Sequence, residues 1–165
     1  MDASKRYEIL SYLKKLNQEL RTTMFIITHD LEAALICDKA AILREGRMLD
    51  FNSPQTLIHS LPSEGKLARI TIENLNEKII ESIKKFRPIK KILRTGNDVV
   101  EIMMEDFDSN LPKLIQFIID KKVNITGMSR DLASFRRYFQ IRVQEEEEKE
   151  LDLYSIENKS SGESM

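Results

Sequence analysis

The chain is poor in residues that cross-link or punctuate a fold: one cysteine, four prolines, five glycines and no tryptophan in 165 residues. A single thiol, Cys37, excludes an internal disulfide and any multi-cysteine metal site, and it suits a reducing compartment. No apolar run approaches the roughly 18 residues needed to span a bilayer, and the opening Met-Asp-Ala-Ser-Lys-Arg has no signal-peptide core. An excess of one charge is missing too, since 26 Lys and Arg face 27 Asp and Glu, giving a net −1. Without a broad basic surface to neutralise phosphates, nucleic acid is not an expected partner. A G-x-x-x-x-G-K-S/T loop is also absent, so nothing would cradle a triphosphate unaided.

What is present is 41% hydrophobic content, ordinary for a globular chain with a core. The most informative stretch is Met24-Phe25-Ile26-Ile27-Thr28-His29-Asp30, an apolar run of strand length that ends in a histidine and a carboxylate. Open α/β sheets bind ligands beyond the carboxyl ends of their strands, where His29 and Asp30 would be presented. Ahead of it, Ile9, Leu10, Leu13, Leu16 and Leu20 make one face of a helix over residues 4–20. Behind it, a short helix is expected over 30–37 with Asp30 as its cap, then strands at 40–43 and 47–51 around a Glu45-Gly46 turn. Ser53 and Pro54 open another helix as cap and first residue.

Turn residues Leu61-Pro62-Ser63-Glu64-Gly65 mark a domain boundary. Beyond it the pattern predicts a strand at 67–73, a helix at 76–86, and a hairpin of 89–94 with 99–104. A helix capped by Ser109 or Asn110 then runs to 120, with Pro112 in its first turn, and a strand follows at 124–128. The order βαββαβ is the split-βαβ, ferredoxin-like arrangement. A last helix from about 132 reaches the acidic block 145–148, after which a Ser, Glu and Lys-rich tail reads as disordered.

In order, Asp2-Ala3-Ser4-Lys5-Arg6, a helix, Thr28-His29-Asp30, Cys37-Asp38, Ile42-Leu43, Gly46-Arg47 and Ser53-Pro54 resemble the last third of an ABC-type ATP-binding domain. That family runs Leu-Asp-Pro, helix, a strand ending Thr-His, Glu-Ala-x-x-Leu-Cys-Asp-Arg, Gly-Arg and Gly-Thr-Pro. The resemblance covers about residues 1–60. It implies that Asp2 stands at the loop crossing to an opposing subunit and that His29 is the switch histidine touching the γ-phosphate. An imidazole there donates to a phosphoryl oxygen and helps orient water. Residues 65–143 resemble the C-terminal appendage of the drug-exporter-like branch, with Asp131-Leu132-Ala133-Ser134-Phe135-Arg136-Arg137-Tyr138-Phe139 a loose match to its helical pattern.

The departures matter equally. The phosphate loop, the glutamine loop, the signature and the magnesium-site strand are missing. Ala3 replaces a proline, Arg21 a common glycine, and the interval from His29 to Cys37 is one residue short. The sequence thus reads as a fragment. Its expected architecture is α/β: a partial ABC-type nucleotide-binding domain (1–63), a small α+β ferredoxin-like domain with its helix (64–143), and an acidic tail (144–165).

The remaining candidates have structural readings. Glu105-Asp106 after the apolar strand 99–104 has the wrong order of acids to hold magnesium, and a hairpin strand running into a loop is favoured. Lys84, Lys85, Arg87, Lys90, Lys91 and Arg94 form a basic cluster that suits anionic lipid but reads first as a solvated face. Phe135, Tyr138 and Phe139 are expected to pack in the core, Cys37 to be a small apolar residue, and His59 to have no metal partner.

The resemblance implies a parent that hydrolyses ATP with Mg2+, energises a transmembrane permease beside a second ATP-binding subunit, and sits at the cytoplasmic face of the membrane. The isolated chain is expected to bind neither cofactor, to contain no metal site and to lack ATPase activity. Self-association, or completion of its sheet by a neighbour, is expected. The alternative is a free-standing regulatory or dimerisation module of ferredoxin-like fold without catalysis.

Overall fold

The computed structural model describes residues 3–162. The chain divides into two compact units, one of residues up to Leu57 together with those from Ser134 onward, the other Ile58–Ala133.

In the first unit, α1 (Ala3–Leu20) is followed by a segment without regular secondary structure, a single 3-10 turn at Ala33–Ile36 and a hairpin of β1 (Ala40–Arg44) and β2 (Arg47–Asn52). The hairpin turns through Glu45 and Gly46, both at positive φ (49° and 76°), the backbone that a two-residue loop requires and that glycine adopts freely. α2 (Pro54–His59) starts as its sequence predicts: Ser53 Oγ accepts from the Thr56 N–H at 3.2 Å and Pro54 occupies the first helical position.

Two expectations for this unit fail. Residues 24–28 are not a strand, and among the described residues no strand pairs with them. A strand is defined by its ladder, and apolar β-prone residues cannot supply the partner. The helix expected over 30–37 shrinks to the 3-10 turn, because Asp30 Oδ1 accepts from the Glu32 N–H (3.1 Å) and closes a local turn instead of capping an α-helix.

α5 (Phe135–Gly162) starts at Ser134, whose Oγ accepts from the Arg137 N–H at 3.2 Å. It continues beyond the acidic block to Gly162, where the sequence predicts a disordered tail. Cationic and amide groups offset the repulsion: Lys149 reaches Glu146 (3.3 Å), Gln144 donates to Glu148 (2.9 Å), and Arg44 of β1 lies 3.2 Å from Glu147 and 3.6 Å from Glu150.

The second unit holds β3 (Lys66–Ile72), α3 (Glu77–Lys84), β4 (Ile89–Arg94), β5 (Val99–Met104), α4 (Phe107–Asp120) and β6 (Ile125–Leu132). All pairings are antiparallel in the order β4-β5-β3-β6, the topology expected of a ferredoxin-like βαββαβ unit. Alternate residues Ala68, Ile70 and Ile72 of β3 and Val100, Ile102 and Met104 of β5 form one sheet face. They cluster with Ile80 and Ile83 of α3 and Leu111, Leu114 and Ile118 of α4. Period two in the strands and periods three and four in the helices meet in one core.

Boundaries shift where contacts outweigh propensity. α4 begins at Phe107 rather than at Ser109 or Asn110: Phe107 is buried, and the Asp106 carbonyl accepts from the N–H groups of both Ser109 and Asn110. Pro112 therefore lies inside the helix, beyond its first turn. β6 runs four residues past the predicted 128, because it pairs with β3 from Lys66 opposite Leu132 to Ile72 opposite Ile125.

Candidate functional site

The site begins at the end of the irregular segment that follows α1. Thr28 Oγ1 accepts from the Asp30 N–H at 2.9 Å, Asp30 Oδ1 accepts from the Glu32 N–H at 3.1 Å, and the Asp30 carbonyl accepts from the Ala33 N–H at 3.1 Å. Two turns anchored on short polar side chains and one backbone turn fix the chain around His29. The imidazole is exposed at the apex, free to donate or accept at either nitrogen. Asp2, the other residue assigned by resemblance, lies outside the described residues. Of the two residues assigned by resemblance, His29 alone lies among the described residues.

Among the described residues no three His, Cys, Asp or Glu side chains are grouped to hold a metal ion. Cys37 is half-buried, its Sγ donates to the Ala33 carbonyl at 3.3 Å, and burial, then the Asp38 charge, push its thiol above the ordinary range. A raised thiol is a poor nucleophile. Val99–Met104 is a hairpin strand, and Glu105 after it is 2.7 Å from Lys90, an ion pair rather than a magnesium ligand. Within the basic cluster, Lys84 pairs with Glu81 (2.6 Å) and Arg94 with Glu77 (3.3 Å).

Two polar clusters went unread in the sequence. In the first unit, Arg142 of α5 donates from Nε to Asp50 Oδ2 (2.8 Å) and from Nη1 to Glu145 Oε2 (2.7 Å). Tyr138, 1% exposed, bonds the same Asp50; burial first, then that carboxylate, push its phenol up to about 12. In the second unit, Glu101 of β5 is 3% exposed and lies 3.1 Å from Arg69, its cross-strand partner, which is itself 3.2 Å from Asp131. Glu101 alone left a sequence signal, a lone carboxylate inside Val99-Val100-Glu101-Ile102-Met103-Met104. Asp50, Tyr138 and Arg142 meet across 92 residues and left none.

The curated proteins that this chain resembles are import ATP-binding proteins, matched at low identity. No family model matches it. Among curated proteins it is similar to the methionine import ATP-binding protein MetN of Coxiella burnetii, 27% identical over 128 residues, covering 76% of this chain and 36% of that protein. It is likewise similar to MetN 2 of Bacillus anthracis, 22% identical over 164 residues, covering 87% of this chain and 47% of the relative. The spermidine/putrescine import ATP-binding protein PotA of Mycoplasmopsis synoviae is 34% identical over 58 residues, covering 34% of this chain and 13% of that protein. The chain spans less than half the length of each of these relatives.

Proposed function

We propose that this chain is the C-terminal portion of the ATP-binding subunit of an ABC transporter, carrying the switch histidine His29 and an accessory ferredoxin-like domain. One observation carries the reading: the similarity to a methionine import ATP-binding protein covers 87% of the chain and so takes in residues of both units. Both the His29 region and the βαββαβ unit then belong to a single ATP-binding architecture. In the whole subunit ATP and Mg2+ would be gripped by a phosphate loop and carboxylates outside these residues. His29 would offer its imidazole N–H to a phosphate held there, with Asp2 at the loop facing a second ATP-binding subunit. A transmembrane permease would be the energised partner, which places the subunit at the cytoplasmic face of the membrane. Among the described residues no helix is long and apolar enough to cross it. The relatives' names favour an import system over the drug-exporter-like branch suggested by the loose match at 131–139.

A chimera tests this. The segment of Bacillus anthracis MetN 2 matched by this chain is replaced with the chain, and ATP hydrolysis is measured with His29 and with His29→Ala. Hydrolysis that falls on the order of 100-fold in the variant, with ATP binding retained, is the expected result. A folded, ATP-binding chimera that hydrolyses equally well without the imidazole overturns the role of His29.

The second reading, a regulatory or dimerisation module, is favoured by the self-contained core of residues 58–133 and by an open four-stranded sheet whose edges are β4 and β6. It requires no nucleotide chemistry, and it prevails if the chimera binds no ATP.

A further inference from the structure

Residues 145–150 are helical against their own charge. Five of the six are glutamate and one is lysine, and like charges fall at three- and four-residue spacing in Glu145 with Glu148, Glu146 with Glu150 and Glu147 with Glu150. Such pairs oppose a helix. The two halves of α5 are held differently. Phe135, Tyr138 and Ile141 recur at three-residue spacing, are buried, and fix the first two turns. From residue 142 onward no described apolar side chain is buried, and Leu151 is 70% exposed. Charge on the β1–β2 hairpin holds this half instead. Arg44, 21% exposed, donates to the Val143 carbonyl at 3.1 Å and lies 3.2 Å from Glu147 and 3.6 Å from Glu150. Asp50 accepts from Arg142 at 2.8 Å. The hairpin thus grips α5 at two points of opposite sign.

A β-bulge makes that grip possible. The register of β1 and β2 shifts between Ile42 and Leu43, so that Ile42 faces Asp50, Leu43 faces Met48, and Leu49 is the extra residue. In an unbroken ladder Asp50 would stand opposite Ala41, on the face of Leu43 and Met48, which are both more than 60% exposed. The extra residue turns Asp50 onto the face of Ile42 and Arg44. One bulge therefore sets an anion and a cation on a single face, where both engage α5.

We infer that residues 143–150 are an order–disorder switch, a helix strapped to the hairpin while Arg44 holds it and an unfolded acidic chain once that guanidinium is taken. With Arg44 gone, the repulsion among the glutamates is no longer offset and no buried apolar side chain keeps the segment in place. The trigger is an anionic group that competes for Arg44, the chemistry that replaces two carboxylates and a carbonyl on a guanidinium. Opening unties the segment that follows the ferredoxin-like unit from the hairpin that follows His29, and it leaves the turns from Phe135 to Ile141 in place. The inference goes beyond the reading above and does not depend on it, since it requires neither a nucleotide nor a role for His29.

Amide hydrogen exchange on the 165-residue chain tests this, with Arg44→Gln imitating the loss of the guanidinium. In Arg44→Gln the amides of residues 145–150 should exchange at least about tenfold faster than in the unaltered chain, while those of β3 to β6 keep their rates. Adding Glu147→Gln and Glu150→Gln to Arg44→Gln should bring the protection back, because the repulsion that Arg44 offset has then been removed. Helix content by circular dichroism should fall and recover in the same order. Residues 145–150 that exchange at unprotected rates in the unaltered chain, or that stay as slow in Arg44→Gln, overturn the switch. Loss of protection that spreads to β3 to β6 overturns it as well, since that is global destabilisation and not local opening. A triple variant as open as Arg44→Gln shows that charge is not what holds the helix, and the inference fails.

Discussion

Tyr138 shows how a single side chain reports on packing. In the folded chain burial and the Asp50 carboxylate keep its phenol protonated up to about 12, whereas an unfolded tyrosine titrates near 10. Between those values the folded state holds one more proton, so this contribution is complete below about pH 10 and is lost as pH rises toward 12. Tyr138→Phe should flatten the decline of stability over that window and remove the highest step in a 295 nm phenolate titration. Arg69 is the second case. Glu101 is buried beside it, so Arg69→Ala removes one partner of a buried carboxylate. About 2 kcal/mol should be lost in urea unfolding, less than for a fully buried pair because Arg69 is itself half-exposed. At this scale Glu101, a charge in an apolar strand, left a signal that went unread, whereas the Asp50 to Arg142 pair left none, because its members approach only through tertiary structure.

Elements were most legible where their boundaries are chemical. Asn76 caps α3 by accepting from the Ile79 N–H at 3.1 Å, and Asn76→Ala should cost about 1 kcal/mol, measured as a lower urea midpoint at an unchanged m value. The β4–β5 hairpin has the bounds its alternation predicts, and Ser53-Pro54 opens α2 as expected. Legibility failed where an element depends on a neighbour. Residues 24–28 have strand composition and no strand, while residues 145–150 have disorder composition and form helix. In the first case the ladder partner is missing. In the second, Arg44 from a distant hairpin supplies charge that local sequence does not contain. The start of α4 moved for a similar reason, the burial of Phe107.

At the scale of the molecule the two units differ in self-sufficiency. Residues 58–133 are continuous, with four paired strands, two helices and a core built from their own side chains. Excised, this segment should fold alone, with a dispersed amide spectrum and one cooperative urea transition. The other unit draws on two separated stretches of chain and exposes Tyr7, Phe25, Ile27, Leu43, Met48 and Phe51. Residues up to 57, expressed without those from 134 onward, should lack cooperative unfolding, since they lose the Arg142, Glu147 and Glu150 partners of Asp50 and Arg44.

The sequence by itself determined the βαββαβ order, the helix starts set by Asn76 and Ser53, the Glu45-Gly46 turn and the placing of His29 after an apolar run. All of these follow from periodicity and short-range hydrogen bonding, which act within a few residues. Tertiary structure alone decided that the apolar run stays unpaired, that the acidic stretch is helical, and that Tyr138 and Arg142 share Asp50. Each of those depends on which groups meet across many tens of residues, and pairing, burial and charge compensation at that range are properties of the folded chain.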